Sequence, residues 1–211
     1  MTRWEKIYQE DERVLTAPPS CAVRRAMTYF QRSKTRRILD IGCGVGRDTA
    51  ILAMLPAIVV GVEIAKTGLA RVHQQTIDKA NTRFICADAR ALPLSTGQFD
   101  GVYCFGMLHE FSSDDADADV AAVMHEIARV LAPNGIVILA ALAGAPAAGL
   151  PHVRLFDAER WQAATRGFSV IESDTQCDIG CTGSRNYTVW FGAFRKPEER
   201  VRDHDPHHSG I

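Results

Sequence analysis

The stretch Ile38-Leu39-Asp40-Ile41-Gly42-Cys43-Gly44-Val45-Gly46-Arg47 decides the fold. Its first four residues are three branched aliphatics and one acid, the composition of a short buried strand. Three glycines follow at alternate positions. Glycine lets a chain turn sharply and brings backbone close to a ligand without a Cβ in the way. Helical spacing resumes at Arg47 and runs to about Leu55, so the stretch reads as strand, tight turn, helix. In open α/β sheets, ligands bind beyond the carboxyl ends of strands at such turns. The spacing is G-x-G-x-G. A dinucleotide fingerprint would need a further glycine where Arg47 stands, and it gives no role to an acid two residues before Gly42.

Outward from this turn, strand and helix signals alternate. Ile58–Glu63 is a second strand, Arg83–Asp88 a third and Phe99–Phe105 a fourth. Residues 66–79 have helical punctuation. A helix opens in Ser112-Ser113-Asp114-Asp115, continues through Val120, Val123, Met124, Ile127, Val130 and Leu131, and stops at Pro133-Asn134-Gly135. A fifth strand covers Ile136–Leu142, and Asp157 opens another helix over Phe156–Thr165. Ser169–Asp174 and Tyr187–Phe194 close the pattern. No helix separates these last two strands, so they are expected to pair antiparallel across a loop-like Thr175–Asn186. The fold class predicted is α/β: a doubly wound, Rossmann-like, seven-stranded, mostly parallel sheet with its last strand antiparallel and helices on both faces. Before it, residues 3–15 read as a short helix with Trp4, Ile7 and Tyr8 on one face. Pro18-Pro19 interrupts, and Ser20 caps a helix over 21–32. The division expected is an N-terminal helical arm over 1–32, a cofactor-binding domain over 33–196, and a disordered charged tail over 197–211.

An acid ending the second strand offers two acceptor oxygens, which suits a pair of ribose hydroxyls; Glu63 stands there. Asp88 ends the third strand, and the fourth ends at Phe105. Taken in this order, the four segments resemble the motifs of class I S-adenosylmethionine (SAM)-dependent methyltransferases over roughly residues 38–142. The resemblance implies SAM as cofactor and S-adenosylhomocysteine as product. It assigns Asp40, Gly42, Cys43, Gly44 and Gly46 to the amino-acid part of SAM, Glu63 to the ribose and Ile64 to the adenine face. Asp88 would meet the adenine amino group, Ala89 would make a backbone contact with the ring, and the Phe105 backbone would lie near the methionine carboxylate or sulfonium. In such enzymes an N-terminal arm often folds over SAM, and the Trp4–Tyr8 spacing is similar to that of thiopurine and tellurite-resistance methyltransferases.

The acceptor is sought among the remaining residues. His109, one helical turn past Phe105, is the candidate general base, since its ordinary pKa suits proton transfer near neutrality. Glu110 reads as a loop carboxylate. His152, Arg185 and the Cys177/Cys181 pair lie in segments that would edge an acceptor pocket. His73 and His125 read as helix residues, and His204, His207 and His208 do not form a structural zinc set, so no metal is expected. The chain has 211 residues, a net charge of -1 and six cysteines. A strongly basic stripe for nucleic acid is missing, and the cluster Arg24, Arg25, Arg32, Lys34, Arg36, Arg37 reads as a solvated helix end. Four of the cysteines sit in or beside apolar runs, which suggests free buried thiols in a reducing compartment. With no apolar leader or bilayer-length run, a cytoplasmic protein is expected. The function expected is direct in-line methyl transfer from SAM to a small-molecule acceptor. A thiol or metalloid acceptor is one alternative; a non-catalytic SAM-binding or partner-activating protein is another; a nicotinamide-dependent oxidoreductase is the weakest. Acceptor identity and oligomeric state stay open at this point.

Overall fold

The computed structural model describes residues 2–74, 80–111, 115–144, 153–179 and 186–198. Seven strands form one sheet in the order β3-β2-β1-β4-β5-β7-β6. They are β1 (Arg37–Ile41), β2 (Ile58–Glu63), β3 (Thr82–Cys86), β4 (Phe99–Phe105), β5 (Leu131–Leu142), β6 (Ser169–Ile179) and β7 (Asn186–Arg195). The pairs β1–β2, β1–β4, β2–β3 and β4–β5 are parallel. The last strand, β7, runs antiparallel to both its neighbours, as the missing crossover helix predicts.

Alternation along the strands sorts side chains to two faces. Leu39 and Ile41 join Val60, Val102, Val137 and Leu139 against α6 (Ala116–Val130) and α7 (Ala158–Ala164). Ile38, Tyr103, Ile136 and Ile138 point the other way, against α3 (Cys21–Arg32) and α4 (Arg47–Leu52). Thus α3, grouped with the arm on sequence grounds, buries Ala22, Val23, Ala26 and Phe30 on the sheet. Its start is fixed by Ser20, whose hydroxyl accepts the Val23 N–H, and Asp157 caps α7 in the same way through Arg160. The stop at Pro133-Asn134-Gly135 is a shift in the β4–β5 register between Phe99/Leu131 and Gly101/Ile136, with Asn134 at φ 62°.

Three expectations are corrected. Much of Thr175–Asn186, expected to be a loop, is ladder: Gln176, Cys177, Asp178 and Ile179 pair with Val189, Thr188, Tyr187 and Asn186. The edge position of β6 explains this: Ser173, Asp174 and Thr175 are exposed there, and the strand leaves no apolar alternation to read. Asp88 lies beyond β3, which ends at Cys86. Cys43 and Cys104 are buried thiols, whereas Cys21 and Cys86 are exposed. Cys181, His152, Arg185, the tail histidines and the expected helix start at 112–114 lie outside the described residues. Among the described residues, no helix is long and apolar enough to cross a membrane, and no group of three metal-ligating side chains occurs.

Candidate active site

The sheet reverses its winding between β1 and β4, and the glycine turn leaves β1 at that point. Gly42 and Cys43 donate to the Val62 carbonyl at 2.8 and 3.0 Å, which straps the turn across the end of β2. Gly42, Gly44 and Gly46 have φ of 76°, 57° and 80°, where side chains are strained. Space is also lacking: a Cβ on Gly42 would come within 2.8 Å of the Met107 Cβ, and one on Gly44 within 2.6 Å of the Tyr8 hydroxyl.

Three carboxylates surround this loop. Glu63 is buried and accepts the N–H groups of Gly44 (3.0 Å) and Ala65 (2.8 Å), so it ties the loop to the end of β2. Burial raises its pKa above the usual carboxylate range despite those bonds. Asp40 is 2% exposed and accepts a hydrogen bond from the Thr49 hydroxyl at 2.5 Å. Burial, together with the like charges of Asp48 and Glu63, pushes it up to about 8. Asp48 accepts the N–H and hydroxyl of Ser20 (2.8 and 2.7 Å) and the Tyr103 hydroxyl (2.8 Å). None of the three forms an ion pair among the described residues.

The remaining sequence-predicted positions fall around the same strand ends. Ile64 is 40% exposed directly after Glu63, a large apolar side chain left open at the site. Asp88 and Ala89 follow β3. Both Asp88 oxygens are held by Arg90, which also reaches Asp119 at 2.7 Å, and Arg90 keeps the carboxyl below its ordinary range. Phe105 ends β4, and Gly106 behind it donates to the Ala140 carbonyl.

His109 sits in a short 3-10 turn (Leu108–Glu110) after β4. Its Nδ1 accepts the Leu142 N–H at 3.3 Å, and its carbonyl accepts the Arg154 N–H at 2.8 Å. Burial and the nearby Arg3 charge lower its pKa to about 4. The ring is therefore neutral at physiological pH, with its proton on Nε2, 3.6 Å from Glu110.

Sequence reasoning placed an arm beside the site without its anchors. Helix α1 (Arg3–Glu10) puts Glu5 at the start of α5 (Lys66–Gln74), where it accepts the N–H groups of Lys66 and Thr67 at 2.7 and 3.1 Å. Tyr8 lies between Gly44 and Gly68: a Cβ on Gly68 would meet the Tyr8 ring at 2.9 Å. Trp4, 5.3 Å from the Tyr8 ring, donates through its indole N–H to Glu110 at 3.2 Å, and Arg3 pairs with the same carboxylate. Helix α2 (Glu12–Thr16) adds Val14 to a small core with Tyr8, Val45 and Ala65. The visible signal for these contacts was the aromatic face of α1; Glu5, Gly68, Met107 and Thr49 carried none.

A seven-stranded sheet with a glycine turn and acids at successive strand ends defines a Rossmann-like domain for a nucleoside-bearing cofactor. Comparison with known proteins narrows the class. The methyltransferase domain family matches residues 39–139. A Synechocystis methyltransferase is 32% identical over 107 residues, covering 51% of this chain and 47% of that protein. The malonyl-[acyl-carrier protein] O-methyltransferase of Legionella pneumophila is 31% identical over 147 residues, 69% of this chain and 47% of its own. The chain thus spans about half the length of these curated relatives. Among solved structures, the Burkholderia thailandensis 1,6-didemethyltoxoflavin-N1-methyltransferase superposes with a TM-score of 0.69 at 20% identity, over 92% of this chain and 85% of that one. An N-methyltransferase of Bradyrhizobium japonicum, solved with S-adenosylhomocysteine, gives 0.69 at 16% identity over 92% and 97%. Residues 39–139, just under half of the chain, thus form a methyltransferase domain of the SAM-dependent class.

Proposed function

We propose that this protein transfers a methyl group from SAM to a small-molecule acceptor by direct in-line displacement. The observation that carries the reading is the glycine loop tied by Gly44 to Glu63 at the switch point. Glu63 keeps lone pairs free beyond its two backbone bonds, enough to accept from ribose hydroxyls. The donor set also fits a cationic cofactor: Asp40, Asp48 and Glu63 have no cationic partner among the described residues, while Gly42 and Gly44 bare the backbone between them. Ile64 and Ala89 supply apolar surface for a purine, with Asp88 as an acceptor for its amino group. The Phe105 backbone and the Trp4–Tyr8 face flank the opposite end, where an aromatic face suits a positive sulfonium. The proposed division assigns residues 3–16 to covering this site and the sheet, from residue 33 on, to forming it.

SAM supplies an electrophilic methyl on a positively charged sulfur. The chain supplies positioning, which can account for much of the acceleration of a two-reactant displacement. His109 is better read as a fastener for the loop after β4 than as the base, because its Nδ1 lone pair is taken by Leu142 and its basicity is low. The acceptor class favoured is one whose attacking atom already has an available lone pair. The wild-type protein should bind SAM in titration calorimetry, with Glu63→Ala at least tenfold weaker, and should move labelled methyl to a member of a small-molecule amine, thiol, hydroxyl and metalloid panel. SAM binding without transfer to any of them would favour a non-catalytic SAM-binding or partner-activating protein. Equal affinity in Glu63→Ala would overturn the site assignment.

A further inference from the structure

We propose that the cofactor's cationic amino-acid end is taken up with loss of one proton from Asp40, and that Thr49 is the positioning residue holding that carboxyl group for the exchange. The inference rests on the SAM reading above.

The surroundings of Asp40 are crowded. Among the described residues, the groups that face Asp40 are neutral or negative. From α4 come the Thr49 hydroxyl and Asp48; from β2, Glu63; from the glycine loop, the buried Cys43 thiol; from β4, Tyr103 and the buried Cys104 thiol. Arg47, next to Asp48 in sequence, donates instead to the Pro18 carbonyl. Asp40 and Glu63 are buried with half-buried Asp48 beside them, and no cation pairs with any of the three among the described residues, so ionising both buried carboxyls is costly. Glu63 has two backbone N–H donors, which favour its ionised form, and Asp48 is occupied by three donors from Ser20 and Tyr103. Asp40 has one hydroxyl, so it is the member that keeps its proton, in line with its rise to about 8.

Arrival of an ammonium changes that balance. The Asp40 O–H gives its proton to the buffer and becomes a carboxylate, while the ligand's ammonium keeps its own protons. At pH 7 and below the ligand's amino group is already largely protonated in solution, so no other group changes state there. Both SAM and S-adenosylhomocysteine carry the ammonium, so both should release the proton. Below the free-state pKa, affinity should then rise by at most about tenfold per pH unit and level off above about pH 8. Thr49 donates to the ionised form, so its loss should shift the exchange to higher pH.

The test is calorimetry of SAM and S-adenosylhomocysteine binding to the full chain in phosphate and in Tris, at pH 6.5 to 9. Proton uptake by the buffer is read from the difference in enthalpy. Wild type should release between half a proton and one proton near pH 7, and the net release should shrink as pH rises through about 8, where Asp40 is increasingly ionised beforehand and the free ligand's amine begins to take up a proton on binding. Asp40→Asn should release none, and Thr49→Val should carry the release to higher pH. Binding with equal enthalpy in both buffers at pH 7 would overturn the linkage while leaving the cofactor reading intact. So would a release in Asp40→Asn equal to that of wild type, and an unshifted profile in Thr49→Val would remove Thr49 from the role. Should Asp40→Asn not fold, the wild-type and Thr49→Val profiles decide. Failure of both ligands to bind wild type would instead remove the cofactor reading, and this inference with it.

Discussion

Two buried side chains, His109 and Asp40, are held neutral, and they tilt the stability of the free protein in opposite directions. His109 has a folded-state pKa of about 4 against an ordinary 6.5. Its burial contribution is therefore complete above pH 6.5 and is lost as pH falls toward 4, because the unfolded ring takes up a proton that the folded one resists. A melting series from pH 7 to 4 should show this loss, and His109→Gln should flatten it. Asp40 runs the other way. Its folded-state pKa is raised to about 8 from 3.8, so the free protein loses stability as pH rises through that interval. Asp40→Asn should melt higher than wild type at pH 8 without cofactor; a lower melting temperature would contradict neutral burial. For turnover, His109→Ala should lower kcat without changing SAM affinity. A kcat profile with a wild-type limb near pH 6.5 that vanishes in the variant would restore the base role to His109.

At the scale of elements, the arm and the hairpin are where sequence and structure part. The glycine turn, β1, β2, β4 and α6 were legible because local spacing alone specifies them: alternation in strands, a 3-to-4 repeat in α6, glycine where φ is positive. The extension of β6 was not, since an outer strand can hold Thr175, Gln176 and Asp178 without an apolar rhythm. Nor were the anchors of α1, because Glu5 acts 61 residues away, on Lys66, and such contacts leave no local pattern. Glu5→Gln, which keeps the size but not the charge at the start of α5, should speed amide exchange in residues 3–10 severalfold while leaving β1–β5 protected. Gly44→Ala should have a larger effect, since both φ and the Tyr8 hydroxyl oppose it: SAM affinity should fall at least tenfold. Trp161 presents a different case. It stacks on Trp190 with centroids 5.7 Å apart and meets Phe156 edge-on, so Trp161→Ala should cost about 3–5 kcal/mol in denaturant unfolding.

Across the whole molecule, the sheet divides labour between its two halves. The half made of β1–β4 carries the glycine loop, Glu63 and Phe105, all within the stretch whose motifs were readable. The half made of β5, β7 and β6 contributes Leu142, which holds His109, and the acid cluster Glu172 and Asp174 that receives Arg25 from α3. That second half, with the arm, is the part the motifs do not describe. The arm adds a constraint of timing. It leaves the ribosome before everything it touches: Gly44, Lys66, Gly68 and Glu110 all follow it in the chain. Helix α1 has eight residues, too short to persist alone in water, so it waits for Gly44, Lys66 and Gly68 to be made, and its contact with Glu110 waits for more than a hundred residues. It should therefore settle after the sheet it packs on and be the first to lift off, since its anchors lie far along the chain from it.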